Sequence, residues 1–207
     1  FYQIGAELFG SKEPLADAEV IVMLWLYFEA IGISRFLRLE ISSLGDENCR
    51  PLFKRELAKF FKPKRNELCE DCQKRLEQNP LRIFDCKKER CKEIAEKAPS
   101  ILDNLCDECK EHFDSVKESL KEIGTPFFVN PRIVRGLDYY TRTVFEVMIP
   151  DESNNGKLTT IASGGRYDYL AKSLGSKRDV PAVGMSICVD RVVEAPWFNK
   201  LTPRILK

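Results

Sequence analysis

An α+β fold, built on a mainly antiparallel sheet with flanking helices and interrupted by a helical insertion, is predicted by three observations. Strand-like alternation occupies both ends of the 207-residue chain, Lys, Arg, Glu and other helix formers dominate its middle, and the composition changes sharply between the two. We therefore expect two parts of one sheet-based core at 1–43 and 126–195, a helical insertion at 44–125, and an unassigned tail at 196–207.

The first element reads as a strand. In "FYQIGAELFG", Gln3, Gly5 and Glu7 share one face while Tyr2, Ile4, Ala6 and Leu8 share the other. An amide and a carboxylate then flank a residue without a side chain, which leaves room between two hydrogen-bonding groups; a solvent-facing edge with an incidental glycine has the same pattern. A helix over Leu15 to Ile31 follows, with Asp17 and Glu19 in its first turn and Gly32 at its end. "SRFLRLEISS" alternates again, Leu37, Leu39 and Ile41 against Arg38 and Glu40, as in an antiparallel strand with one wetter face. Inside the insertion Ile101, Leu105, Phe113, Val116, Leu120 and Ile123 form a helical stripe ended by Gly124 and Pro126. "PFFVN", "TRTVFEVMI", "KLTTIAS" and "PAVGMSICV" restore the β pattern. The loop from Asp151 to Lys157 reads as a hairpin connection, and a short helix over Tyr167 to Leu174, followed by Gly175, separates the last two strands.

A net charge of +1 gives no strong whole-chain field, so nucleic-acid contact would have to come from local patches. The insertion offers Lys54, Arg55, Lys62, Lys64, Arg65, Lys74, Arg75, Lys87 and Lys88, but acids are interleaved with them, and a solvated helical surface is the alternative. No apolar run approaches the ~20 residues that span a bilayer, the longest being Val20 to Phe28, and no signal-peptide order opens the chain. We expect a cytoplasmic protein without membrane attachment, whose 8 cysteines serve as thiols or metal ligands rather than disulfides. With a mid-domain strand at residue 1 and no start methionine, we also expect a fragment of something larger.

Chemistry-bearing residues gather at strand ends. "VRGLDYYTRTVFEV" puts Arg135 and the phenols of Tyr139 and Tyr140 at a Gly–Asp turn ahead of a strand, more than a turn needs. "SGGRYDYL" adds two glycines that admit something to the backbone, with Arg166 and Tyr167 at the mouth. "AVGMSICVDRVV" runs a glycine-containing strand into a helix whose first turn holds Arg191, a poor place for a cation unless an anion faces it; a plain surface arginine is the alternative. Arginines for phosphates, a carboxylate for an ammonium and tyrosines for a polar ring suit an amino acid together with a nucleotide.

At this point the sequence closely resembles the catalytic domain of the histidyl-tRNA synthetases, a class II aminoacyl-tRNA synthetase family. "RGLDYY" (135–140) and "SGGRYD" (163–168) resemble the family's two histidine signatures, in its order and separation. "FYQIGAELFG" resembles the second half of class II motif 2, "GMSICVDR" (184–191) resembles motif 3, and "NPLRIFDCK" in the insertion also matches. The resemblance implies a class II synthetase-type sheet and an ATP-dependent activation of L-histidine to histidyl-adenylate, followed by transfer to tRNA(His). It implies that Gln3 and Glu7 hold the α-amino group of histidine, and that Tyr140 and Tyr167, with Tyr139 beside them, meet the imidazole. It further implies that Arg135 approaches the α-phosphate and carboxylate as the catalytic arginine, and that Gly184 and Arg191 contact ATP with its Mg2+. In the parent it implies a homodimer. Cys188 departs from the glycine usual at that position of motif 3, and motif 1, the first half of motif 2 and the anticodon-binding domain have no counterpart here. The alternative is a non-ligating, synthetase-like module that senses histidine or tRNA. A free-standing zinc-dependent nucleic-acid binder ranks last because it leaves the arginines and tyrosines unexplained.

The insertion carries "CEDC" (69–72), "CKKERC" (86–91) and "CDEC" (106–109). Two CxxC pairs suit a thiolate zinc site, and we expect Zn2+ at Cys69, Cys72, Cys106 and Cys109, with Cys86 and Cys91 as substitutes or supporting thiols. Small apolar packing is the bland alternative. Cys49 and Cys188 read as isolated, and His112, the single histidine, as a surface helix position, with a metal ligand near Cys109 as the alternative.

Overall fold

A computed structural model describes residues 1–134, 139–151 and 157–194. β1 (Gln3–Phe9) leads into α1 (Pro14–Ala30) and, past a 3-10 turn at Ser34–Phe36, into β2 (Arg38–Ser43). Pro14 sits in the first turn of α1, where a missing N–H leaves no bond unmade. α2 (Arg50–Phe61), α3 (Glu70–Gln78) and α4 (Glu89–Glu96) follow, and α5 (Asp107–Ile123) returns the chain to the sheet. Gly124 ends α5 at φ 83°, the left-handed cap its position predicts. β3 (Phe128–Val129), β4 (Thr141–Asp151), β5 (Lys157–Arg166), α6 (Leu170–Ser173), β6 (Ala182–Cys188) and α7 (Val189–Glu194) complete the described residues. Among the described residues no helix is long and apolar enough to cross a membrane.

The six strands lie in the order β1-β6-β5-β4-β2-β3. Only β2 and β3 are parallel; β1 with β6, β6 with β5, β5 with β4 and β4 with β2 are antiparallel, as the alternation predicts. β4 and β5 pair from Asp151 opposite Lys157, the register of a hairpin, although its tip at 152–156 lies outside the described residues.

One face of this sheet is sealed and the other carries the site. Ala6, Leu8, Leu39, Ile41, Phe145, Val183, Met185 and Ile187 pack with α1 and α5 into the main core. Their neighbours in the chain, Gln3, Gly5, Glu7, Gly184 and Ser186, point the opposite way by the two-residue period, and β1 opposite β6 aligns Glu7 with Gly184 and Gly5 with Ser186. Gly164 lies on the core side, where an added Cβ would collide with the Gly184 carbonyl and the Phe145 ring. Gly164→Ala is expected to cost about 3 kcal/mol, the upper end of overpacking, read as a lowered urea midpoint; a change under about 0.5 kcal/mol, the usual size of a surface effect, would sink that packing argument.

Four local expectations change. The stretch expected as one insertion divides: Phe53, Leu57, Phe61, Leu76, Ile83 and Ile94 build a core of their own, whereas Phe113, Val116 and Leu120 of α5 join the main core against α1. The 101–123 stripe accordingly breaks before Asp107, with Ile101 in the insertion's core and Ile123 exposed. Glu40, expected on a wet face, is buried, because Arg38 and Asn130 both donate to its carboxylate. The short helix covers only Leu170–Ser173, since Ser163 to Arg166 continue β5.

Candidate active site

A cavity of about 520 Å³ opens on the uncovered face of the sheet, with Gly184 and Ser186 among the residues that line it and Gln3, Glu7, Tyr139, Tyr140 and Tyr167 around it. The Tyr167 hydroxyl donates to the Glu7 carboxylate. Burial raises the Tyr167 pKa, and the adjacent Glu7 charge raises it further, so the phenol stays a proton donor at neutral pH. Tyr139 and Tyr140 stack at 4.6 Å between ring centroids, and Tyr139 meets Tyr167 edge to face at 5.9 Å. Beneath them Leu44, Ile133, Tyr140 and Val144 form a small apolar cluster that fixes the rings.

The glycines make room for this arrangement. A methyl group on Gly184 would fall on the Glu7 carboxylate, and one on Gly165 would stand 2.9 Å from Cδ1 of Tyr140. Because the obstruction at Gly184 is a mobile carboxylate tip rather than backbone, Gly184→Ala is expected to leave the urea midpoint nearly unchanged while displacing Glu7. Affinity for a cationic ligand of Glu7 should fall about tenfold or more, the loss of one charged hydrogen bond; unchanged affinity in a calorimetric titration would remove Gly184 from the site.

A second cavity of about 440 Å³ adjoins the first, lined by Thr160, Cys188, Asp190 and Arg191. Gln3, Ser163 and Ser186 line both. Arg191 spans it, Nη1 donating to the Thr160 carbonyl at 2.5 Å. Two ligands lodged in these cavities would therefore meet over one shared wall. Gly184, expected to contact ATP, lines the first cavity and lies against Glu7, and Arg135 falls outside the described residues.

Arg166 is not a phosphate ligand. It is fully buried, its Nη2 2.6 Å from the Asp17 carboxylate and its Nη1 3.0 Å from Asp168, while Nη1 and Nη2 also donate to the Ser11 and Glu13 carbonyls. With its planar fork spent inside the protein, it ties β5 to the start of α1. His112 is likewise no surface residue: its Nε2 lies 2.6 Å from Asp17, and it is buried where α5 crosses α1. The acid that reads as a partner for the helix dipole is the centre of this network.

The cysteines expected to share one ion, Cys69, Cys72, Cys106 and Cys109, do not converge. Cys69 and Cys72 gather with Cys86 and Cys91, while Cys106 and Cys109 gather with Cys49 and Asp46, and within each group the ligand atoms lie within 4.8 Å of one another. The tertiary fold, not the sequence order of the pairs, decides the partners. Cys49 is therefore not isolated, and Asp46 was missed; the signal available was "DENC", which repeats the i, i+3 spacing of CxxC. A hydrogen bond with Cys109 draws the Cys49 thiol down to about 6. Despite desolvation, bonds from Cys72, Cys91 and Cys86 bring Cys69 to about 7. Either cluster could hold a metal.

The family model described as "Histidyl-tRNA synthetase" matches residues 1–192. A curated histidine–tRNA ligase of Maridesulfovibrio salexigens is 48% identical over 193 residues, covering 93% of this chain and 46% of its own length. One of Geobacillus sp. (strain WCH70) is 47% identical over 195 residues, covering 94% and 45%. The apo crystal structure of S. aureus histidyl-tRNA synthetase superposes with a TM-score of 0.73 at 36% identity, over 92% of this chain and 45% of that one. The chain thus spans about half the length of the relatives it matches.

Proposed function

Because the chain belongs to the histidyl-tRNA synthetase family, we propose that it forms the amino-acid-binding part of a histidine–tRNA ligase. In this reading the tyrosine-lined cavity receives L-histidine and its neighbour receives ATP, which brings Mg2+ with it. The histidine ammonium sits against Glu7 and Gln3, and the imidazole between Tyr140 and Tyr167, whose polar ends reject amino acids unable to pair them. The carboxylate then reaches over the wall of Gln3, Ser163 and Ser186 toward the α-phosphorus. Its oxygen forms the new bond to phosphorus as pyrophosphate leaves, and Arg135 and Arg191 offset the charge gathering on the phosphate oxygens. The histidyl-adenylate passes its acyl group to tRNA(His) in the complete protein, a cytoplasmic homodimer. For the thiol clusters of the insertion, Zn2+ is the ion their chemistry favours.

The observation that carries this reading is the Glu7–Tyr167 pair, set among two further tyrosines beside a second, adjoining cavity. Calorimetric titration of the full-length protein with histidine, alongside ATP-dependent pyrophosphate exchange, tests it. Binding with exchange is expected. Binding without exchange would favour the second reading, a non-ligating histidine or tRNA sensor, to which Cys188 in the nucleotide-side cavity lends support. Absence of both would overturn the histidine assignment.

A further inference from the structure

The two thiol clusters share one local design. Cys69 and Cys106 precede α3 and α5 with nearly the same backbone angles, φ −67° and ψ 160° against φ −68° and ψ 161°. Cys72 and Cys109 follow three residues later, inside the first turn of each helix, which turns both sulfurs of a pair toward the positive helix end. Each claw faces a second pair supplied from elsewhere in the chain: Cys86 and Cys91 in one case, Asp46 and Cys49 in the other.

The spacing fits a bound ion. Thiolates about 2.3 Å from a tetrahedral zinc stand roughly 3.8 Å apart, and the Cys69 and Cys86 sulfurs are 3.8 Å apart. A disulfide would need about 2.05 Å, and all 8 cysteines are free. The backbone amide of Cys69 donates to the Cys91 sulfur at 3.3 Å and that of Asp46 to the Cys49 sulfur at 3.3 Å, bonds that favour thiolates. Asp46 supplies the independent indication. It is 3% exposed, its Oδ1 accepts from the Asn48 and Cys49 amides at 2.9 and 3.2 Å, and the Cys106 sulfur lies 3.9 Å from both its oxygens. Among the described residues no Lys or Arg forms an ion pair with it. A buried carboxylate crowded by three thiols is costly unless a cation occupies their midst.

We propose that the protein binds two structural zinc ions. One lies inside the insertion at Cys69, Cys72, Cys86 and Cys91, and one at the insertion's root at Asp46, Cys49, Cys106 and Cys109. The root ion clamps the turn after β2 to the start of α5. That turn is the backing of the tyrosine loop: Leu44 donates its amide to the Arg142 carbonyl at 2.7 Å, and Arg142 donates its own to the Gly45 carbonyl at 2.8 Å. Arg50, at the start of α2, donates to the carbonyls of Leu44 and Tyr140. Arg142 holds φ 48°, the one positive φ of a non-glycine among the described residues, so the bulge beside Tyr140 depends on what braces it. This last step, and only this step, rests on Tyr140 being a histidine contact.

The test is the metal content of the full-length protein purified without chelator, measured by plasma mass spectrometry, with cobalt substitution read by its thiolate absorption. Two zinc per chain are expected in the wild type, and one each in Cys72→Ser and Cys109→Ser. The histidine Kd should rise about tenfold in Cys109→Ser and stay constant in Cys72→Ser. Should Cys109→Ser fail to fold, Asp46→Cys serves instead: it should keep two metals and move the root cobalt spectrum to that of a four-thiolate site. No metal in the wild type, or one substitution emptying both sites, would overturn the proposal. Two metals with histidine affinity indifferent to Cys109 would overturn the coupling alone, and two metals in a protein that binds no histidine would leave the sites standing while the proposed function fell.

Discussion

Asp17→Ala is expected to destabilise the protein by about 3–5 kcal/mol, the cost of removing one partner from a buried ion pair. The reason is what remains: a fully buried Arg166 guanidinium with its principal counterion gone, and a buried His112 ring facing a void. The network spans the chain, since Asp17 lies in the first turn of α1, Arg166 ends β5 and His112 rides on α5, so its loss loosens three elements together. Urea unfolding of the full-length protein followed by circular dichroism measures it, and a loss below about 1 kcal/mol, typical of exposed pairs, would show that the network is dispensable. The same residue sets a pH dependence. Burial raises the Asp17 pKa, but His112 and Arg166 outweigh it, and the carboxyl is held below its ordinary value. A group whose folded pKa is depressed contributes stability that is present above its unfolded pKa, about 3.9, and lost as pH falls through the folded value. Acid unfolding should therefore gain a component below about pH 4 that Asp17→Ala lacks.

If the proposed function holds, Glu7→Gln should raise the histidine KM about ten- to a hundredfold, the range of a charge-assisted hydrogen bond of about 1.5–3 kcal/mol. Glu7 stands exposed on β1 before a ligand arrives, so the amide should fold as the carboxylate does, with little change in Tm. What changes is the charge offered to an ammonium group and the acceptor offered to Tyr167. Tyr167→Phe, which keeps the ring and removes only the donor, should lose less. The ATP KM should hold, because Glu7 lines the first cavity and not the second. A Glu7→Gln protein with wild-type histidine KM would transfer the ammonium site to another residue.

The sheet was legible in the sequence because alternation is a local property, and so was the face bearing Gln3, Gly5 and Glu7. What local pattern could not separate were residues of one type in different depths. Arg166 and Arg191 both read as arginines at strand ends near glycines, yet one is sealed against Asp17 and the other lines a cavity; only the approach of α1, far away in sequence, distinguishes them. His112 read as exposed because the acid that buries it sits 95 residues upstream. The spacing of the thiol pairs suggested that they cluster, but which pair meets which depends on where the insertion's helices turn. Asp46 stayed hidden because a carboxylate before a helix looks like an ordinary cap.

The alternation of core and site on the same strands has a further consequence. Val183, Met185 and Ile187 face the core while Gly184 and Ser186 face the cavity, so a slip of β6 by a single residue would drive methionine and valine into the binding surface and glycine into the interior. A molecule cannot bury its apolar side chains correctly and still present a scrambled cavity wall. Proofreading of the fold and assembly of the site are thus one event, and a chaperone or protease that rejects exposed apolar surface would also be discarding molecules whose site is misassembled.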